Sequence, residues 1–166
     1  SLPSPHDETL KEARLALTED DTETAAQKAG IVLDAEPDNN EARVILAEAQ
    51  LRDDAASALK TLEPILQGHA QFDRAETLRQ FAKLAAPDES TLPEGDLKTQ
   101  YLAGARAVQQ ADYAAAFEAF IGVLEKDRDY ANGAAKNACK TIIQYLGIRH
   151  PITEEYYRAY TSLVNA

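Results

Sequence analysis

Residues 111–130 read ADYAAAFEAFIGVLEKDRDY, and this stretch decides the fold. Ala116, Phe120, Val123 and Leu124 fall at three- and four-residue steps, the spacing that lines one face of an α-helix. The same order appears in ETAAQKAGIVLDAEPDN, residues 23–39, as Ala25, Ala29, Val32 and Leu33, with Pro37 beyond them. Ala58, Leu62, Ile65 and Leu66 repeat it once more. Ahead of each run lies another helical stretch carrying a small residue where two helices must cross closely: Ala13, Ala47 and Gly104. The chain is therefore expected to be a series of helix pairs recurring about every 34 residues, each with an apolar face that only its neighbours can bury.

The rest of the sequence agrees. Ala, Leu, Glu, Lys and Gln dominate, Gly and Pro number seven each, and no sustained apolar–polar alternation calls for strands. The spacing predicts nine helices, over about 7–18, 22–35, 40–52, 54–66, 72–85, 96–110, 113–127, 131–146 and 152–164. Asp20 or Asp21 starts the second, Asn39 or Asn40 the third, and Pro151 sits where proline is tolerated at the start of the ninth. Pro37 and Pro87 stop the helices before them, and Gly68 is expected to end the fourth. Four segments follow: a linker remnant at 1–6, helices over 7–85, an acidic loop at 86–95, and a final helix pair with two terminal helices over 96–166. The fifth helix, FDRAETLRQFAKLAAP, lacks a clean partner, so the array is expected to be irregular and right-handed.

Charge and composition exclude several classes. With 17 basic and 28 acidic residues the net charge is −11, which repels phosphate backbones, and no nucleic-acid role is expected. No run of 18 apolar residues exists to cross a membrane. The single cysteine suits a reducing, cytoplasmic setting. His6, His69 and His150 are scattered over loops and helix edges without helical ligand spacing, so no metal and no cofactor is expected. Acidic pairs at helix starts, such as Asp20–Asp21, Asp53–Asp54 and Asp88–Glu89, read as caps that complement the helix dipole. A clamp for acidic peptide tails would want Lys and Asn one turn apart. Lys11 is followed at that distance by Leu15, Arg14 by Thr18 and Asn40 by Val44.

Cys139 stands between Lys136 and Lys140 in DRDYANGAAKNACKTIIQYLG, residues 127–147. On a helical wheel it points with Ala135, Ile142 and Leu146 into the apolar stripe, and the two lysines project to its flank. A thiol so placed packs and does not react, and no catalytic residue is expected anywhere in the chain. The aromatics are unevenly spread: none precedes Phe72, and all seven tyrosines lie at or beyond Tyr101. In the last helix Ile152, Leu163, Tyr156, Tyr160, Val164 and Tyr157 cover an arc of about 140°, wider than packing on the eighth helix requires. Tyr156, Tyr157, Tyr160, Leu163 and Val164 are the candidate partner-binding residues, with Tyr157 and Val164 the surplus beyond the core.

ADYAAAFEAFIGVLEKDRD resembles the tetratricopeptide repeat, with Ala111 at the family's glycine and Arg128 at its proline. The tail is similar to the end of bacterial thioredoxin–tetratricopeptide fusion proteins of the chaperedoxin type. Asp127, Arg128, Tyr130, Gly133, Ala134, Ala135, Lys136, Leu146, Gly147, Pro151, Tyr157, Arg158 and Leu163 carry that likeness. Asn132, Ala159 and Tyr160 depart from it. The resemblance implies stacked antiparallel helix pairs and a non-enzymatic module of a redox-linked co-chaperone. Such a module holds unfolded client proteins and passes them to the GroEL chaperonin and DnaK-type chaperones. It also implies a thioredoxin-like domain upstream of the linker-like LPSP start. A specific adaptor recognising one defined partner peptide is the alternative.

Overall fold

A computed structural model describes residues 4–165, so residues 1–3 of the expected linker and residue 166 lie outside it. Among the described residues there are nine α-helices and no strand. They are α1 (Asp7–Thr18), α2 (Thr22–Ala35), α3 (Asn40–Gln50), α4 (Ala55–Leu62), α5 (Phe72–Ala85), α6 (Asp96–Gln109), α7 (Tyr113–Lys126), α8 (Ala134–Leu146) and α9 (Pro151–Val164). Within the units, consecutive helices from α1 to α4 and from α6 to α9 pack on one another. The chain divides into two compact units between Ala82 and Lys83, inside α5.

Short polar side chains set the helix starts. Asp21, Asn39, Asp54 and Asp112 each accept a hydrogen bond from the backbone N–H three residues on, which satisfies a donor the helix leaves orphaned. Asp54 takes the hydroxyl as well as the N–H of Ser57, and these bonds hold its carboxyl below the usual carboxylate range. Thr24 does the same for Asp21. The sign follows: a depressed folded pKa gives stability that is complete above the ordinary value of 3.8 and lost as pH falls through the lower folded value. Melting temperature is therefore expected to be flat above about pH 5 and to fall below about pH 4. Asp54→Asn, which keeps an acceptor but cannot titrate near pH 4, should flatten part of that fall in melts followed by circular dichroism.

Across α1, α2 and α3 the core is aliphatic and small. Leu10, Ala13 and Ala16 of α1, Ala25, Ala29 and Val32 of α2, and Ala42, Ile45 and Ala49 of α3 are all buried in one cluster. Ion pairs lie beside it: Arg52, just beyond α3, reaches Asp20 in the α1–α2 turn at 2.6 Å, and Arg74 of α5 reaches Glu48 of α3 at 2.8 Å.

α4 ends at Leu62, short of the expected Gly68. Pro64 has no N–H to continue the helix and its ring would strike the carbonyl of Lys60, so the chain turns there. Ile65 remains buried, whereas Leu66, expected on the same stripe, is exposed. The carbonyls freed by this early stop are met from outside. Arg79 of α5 donates from Nη2 to the carbonyls of Leu62 and Ile65, 2.7 Å in both cases.

In the second unit the helix pair α6–α7 repeats α1–α2 position for position. Leu10, Ala13, Ala16, Ala25, Ala29 and Val32 correspond to Tyr101, Gly104, Ala107, Ala116, Phe120 and Val123, and all but Gly104 are among the buried hydrophobic residues. The connecting turns match too. Asp21 N–H reaches Ala16 C=O at 2.8 Å and Asp112 N–H reaches Ala107 C=O at 2.9 Å. Between cap and helix, Asp20 (φ 58°) and Ala111 (φ 56°) take the left-handed conformation that glycine adopts most cheaply at a helix end. The crossing differs in size: two alanines in α1–α2 become a glycine and a phenylalanine in α6–α7. A Cβ on Gly104 would lie 2.6 Å from Cε1 of the Phe120 ring.

α8 begins at Ala134, later than the expected 131. Tyr130–Asn132 form a 3-10 turn in which Ala131 (φ 50°), Asn132 (φ 60°) and Gly133 (φ 83°) are successively left-handed, so helical hydrogen bonding cannot start before Gly133. Tyr130 anchors the turn, with its hydroxyl donating to the Pro93 carbonyl at 2.7 Å.

Candidate functional site

The terminal helix α9 packs against both α7 and α8, not on α8 alone. Its first turn is fixed by Pro151 and by His150, whose Nδ1 accepts from the Ile152 N–H at 3.2 Å. The line of deepest burial runs through Thr153 (0% exposed) and Tyr160 (8%), in the middle of the apolar arc. The five candidate residues therefore separate. Tyr160 is part of the core. Tyr156 is half-buried: its ring stacks on Phe117 of α7 at 5.4 Å, and its hydroxyl donates to Glu118 Oε1 at 2.9 Å. That bond to a carboxylate pushes the phenol up to about 12, so the hydroxyl stays a donor through the neutral range. Tyr157 is exposed (39%) on the far edge of the arc.

Leu163 and Val164 are half-buried at the end of the helix. The Leu163 carbonyl accepts from Arg128 Nη1 at 3.0 Å, and Val164 lines a cavity of about 220 Å³ with Leu124, Arg128, Asp129 and Lys136. Tyr157 is thus exposed and Val164 partly so, while Tyr156 and Tyr160 hold the helix in place. Thr153, Phe117 and Glu118 belong to this arrangement although the wheel did not single them out. Thr153 is a polar residue that an apolar arc passes over, and the two α7 residues reveal themselves only once α9 packs on that helix.

Cys139 is fully buried on α8, and burial pushes its thiol up to about 12. The aromatic contacts around Tyr101 are packing: its ring lies 5.0 Å from that of Phe120 and 6.5 Å from that of Tyr130. The histidines sit at turns. His69 Nδ1 accepts from the Leu66 N–H at 3.0 Å, which closes the loop after α4. Among the described residues no group of three or more His, Cys, Asp or Glu is arranged to hold a metal ion. No described helix is long and apolar enough to cross a membrane.

Residues 85–164 match the family model of the tetratricopeptide repeat, which covers the end of α5 and all of α6–α9. The match is to the repeat alone and names no thioredoxin fusion. No curated protein and no solved structure matches the chain.

Proposed function

We propose that the tetratricopeptide repeat region at residues 85–164 makes this chain a non-enzymatic protein-interaction module, with α9 as its contact surface. The observation that carries the reading is the division of labour on α9. Tyr156 and Tyr160 are engaged by the core, while Tyr157 and the edge formed by Leu163 and Val164 remain accessible at the end of the unit. Tyrosine presents a large amphipathic surface at low entropic cost, which is why it recurs at contact sites.

The partner follows from the resemblance of the tail to chaperedoxin-type fusions: unfolded client proteins, passed on to the GroEL chaperonin and DnaK-type chaperones, in the cytoplasm. A net charge of −11 supports this use, because it keeps a complex with an apolar client dispersed. The domain organisation proposed is a remnant of an interdomain linker at 1–6, helices to 85, the acidic loop at 86–95, and the repeat with its two terminal helices beyond. A specific adaptor for one peptide is the second reading, favoured by the small number of exposed contact residues.

Suppressed aggregation of several unrelated denatured proteins, at near-stoichiometric ratios, is the expected result. Saturable binding of one peptide with no such suppression would select the adaptor. In either case Tyr157→Ala with Val164→Ala should weaken partner binding about tenfold or more and move the melting temperature by only a few degrees. An equal loss of binding and stability would make this surface part of the core.

A further inference from the structure

We propose that α8 and α9 open from α7 while α6 and α7 stay paired, so that the second unit contains a built-in cover over its own apolar core. The inference goes beyond the interaction reading and does not rest on it. Three independent observations converge on these two helices. First, their attachment is strained. Ala131 and Asn132 both hold left-handed backbone, which each costs a residue with a Cβ, and Gly133 continues the run. Second, α8 starts poorly. Its N-cap, Gly133, offers no side-chain acceptor, its first turn carries no acid, and Lys136 places a positive charge at the positive end of the helix dipole. Third, α9 carries a defect in its buried face: Thr153 is fully buried and its Oγ1 has no hydrogen-bond partner.

The contrast with α6–α7 is direct. Those two helices pack closely along their length, joined by a turn with its carbonyls satisfied and by the Asp112 cap, whereas α8 and α9 touch α7 and each other more sparingly. The least stable cooperative piece of a domain opens first, at a free energy below that of global unfolding. Opening here would uncover Phe117, now beneath the Tyr156 ring, together with Cys139 and Ile142 on α8.

Cys139 is the only cysteine and is wholly buried, so it reports the opening without any substitution. The experiment labels it with an aromatic disulfide reagent at about pH 8 across a urea series, with global unfolding followed in parallel by circular dichroism. At low urea the labelling rate is expected to rise with urea along a slope clearly shallower than that of global unfolding, because only part of the surface is exposed, and then to merge with the steep global line. Ala131→Gly, which relieves the left-handed strain, should slow the low-urea rate about three- to tenfold. Gly104→Ala, at the α6–α7 crossing, should lower the global midpoint and leave the low-urea rate within about twofold. Labelling that follows the global slope at every urea concentration overturns the proposal. So does a low-urea rate that Ala131→Gly leaves unchanged.

Discussion

Phe120→Ala should destabilise the protein by about 3–5 kcal/mol, the loss that removing a fully buried phenylalanine ring brings. Phe120 is fully buried at the α6–α7 crossing, packed on Tyr101 at 5.0 Å, and its ring fills the space that the absent side chain of Gly104 leaves. Gly104→Ala attacks the same contact from the other side. The new methyl would sit 2.6 Å from Cε1 and 2.7 Å from Cζ of that ring, and a ring closed in on all sides has nowhere to move without disturbing its neighbours. A cost of about 1–3 kcal/mol follows. The decisive result is the pair together. With Phe120 already alanine, the added methyl at Gly104 meets no ring and partly fills the cavity, so the double variant should lose less than the sum, by about 0.5–3 kcal/mol. Urea denaturation of the four proteins measures this. Simple additivity would show that the glycine and the phenylalanine do not share a contact.

Arg79→Met should cost about 2–4 kcal/mol, because two buried carbonyls lose their donor at once. Leu62 and Ile65 are both buried, and the Arg79 guanidinium bonds to each carbonyl at 2.7 Å, pairs with Glu76 and lies 5.9 Å from the Phe72 ring. Methionine keeps the apolar stem, which isolates the loss of the donors from the loss of packing. Arg79→Lys should recover only part of the stability, since a single ammonium replaces a planar fork aimed at two acceptors. Thermal melts of the three proteins rank them. Equal stability of the methionine variant and the parent would mean that water satisfies the carbonyls.

Those two sites show where the sequence was readable and where it was not. Helix starts were legible because a cap is a local device: Asp21, Asn39 and Asp54, each within the expected pairs, act on an N–H three residues away. The spacing of Ala116, Phe120, Val123 and Leu124 located a buried stripe for the same reason, since periodicity is a property of one helix. The end of α4 was misread because the apolar rhythm continues through Ile65 to Leu66 while Pro64 has already broken the backbone. The start of α8 falls at Ala134 because Ala131, whose composition announces nothing, joins the Asn132–Gly133 pair in left-handed geometry. Arg79 lies in a helix of mixed charge and nothing in its own stretch singles it out. Its task depends on a neighbouring helix stopping early, and so could not be seen from its own surroundings. On α9, Tyr156, Tyr157, Tyr160, Leu163 and Val164 all lay on the expected arc, but which of them the core would take depended on α7 as well as α8.

The unequal crossings of α1–α2 and α6–α7 have a consequence for how the chain sorts itself while folding. The two helix pairs share turns, caps and apolar register, so each helix could in principle seek its counterpart's mate. The sizes forbid it. If α1 met α7, the Ala13 methyl would stand where Gly104 has none, driven into the Phe120 ring. If α6 met α2, Gly104 would face Ala29 and leave a hole. One exchange is too tight and the other too loose, so only the matched pairs close. A difference of a few carbon atoms thus works as a key, protecting a repetitive chain from mistaking one of its own halves for the other.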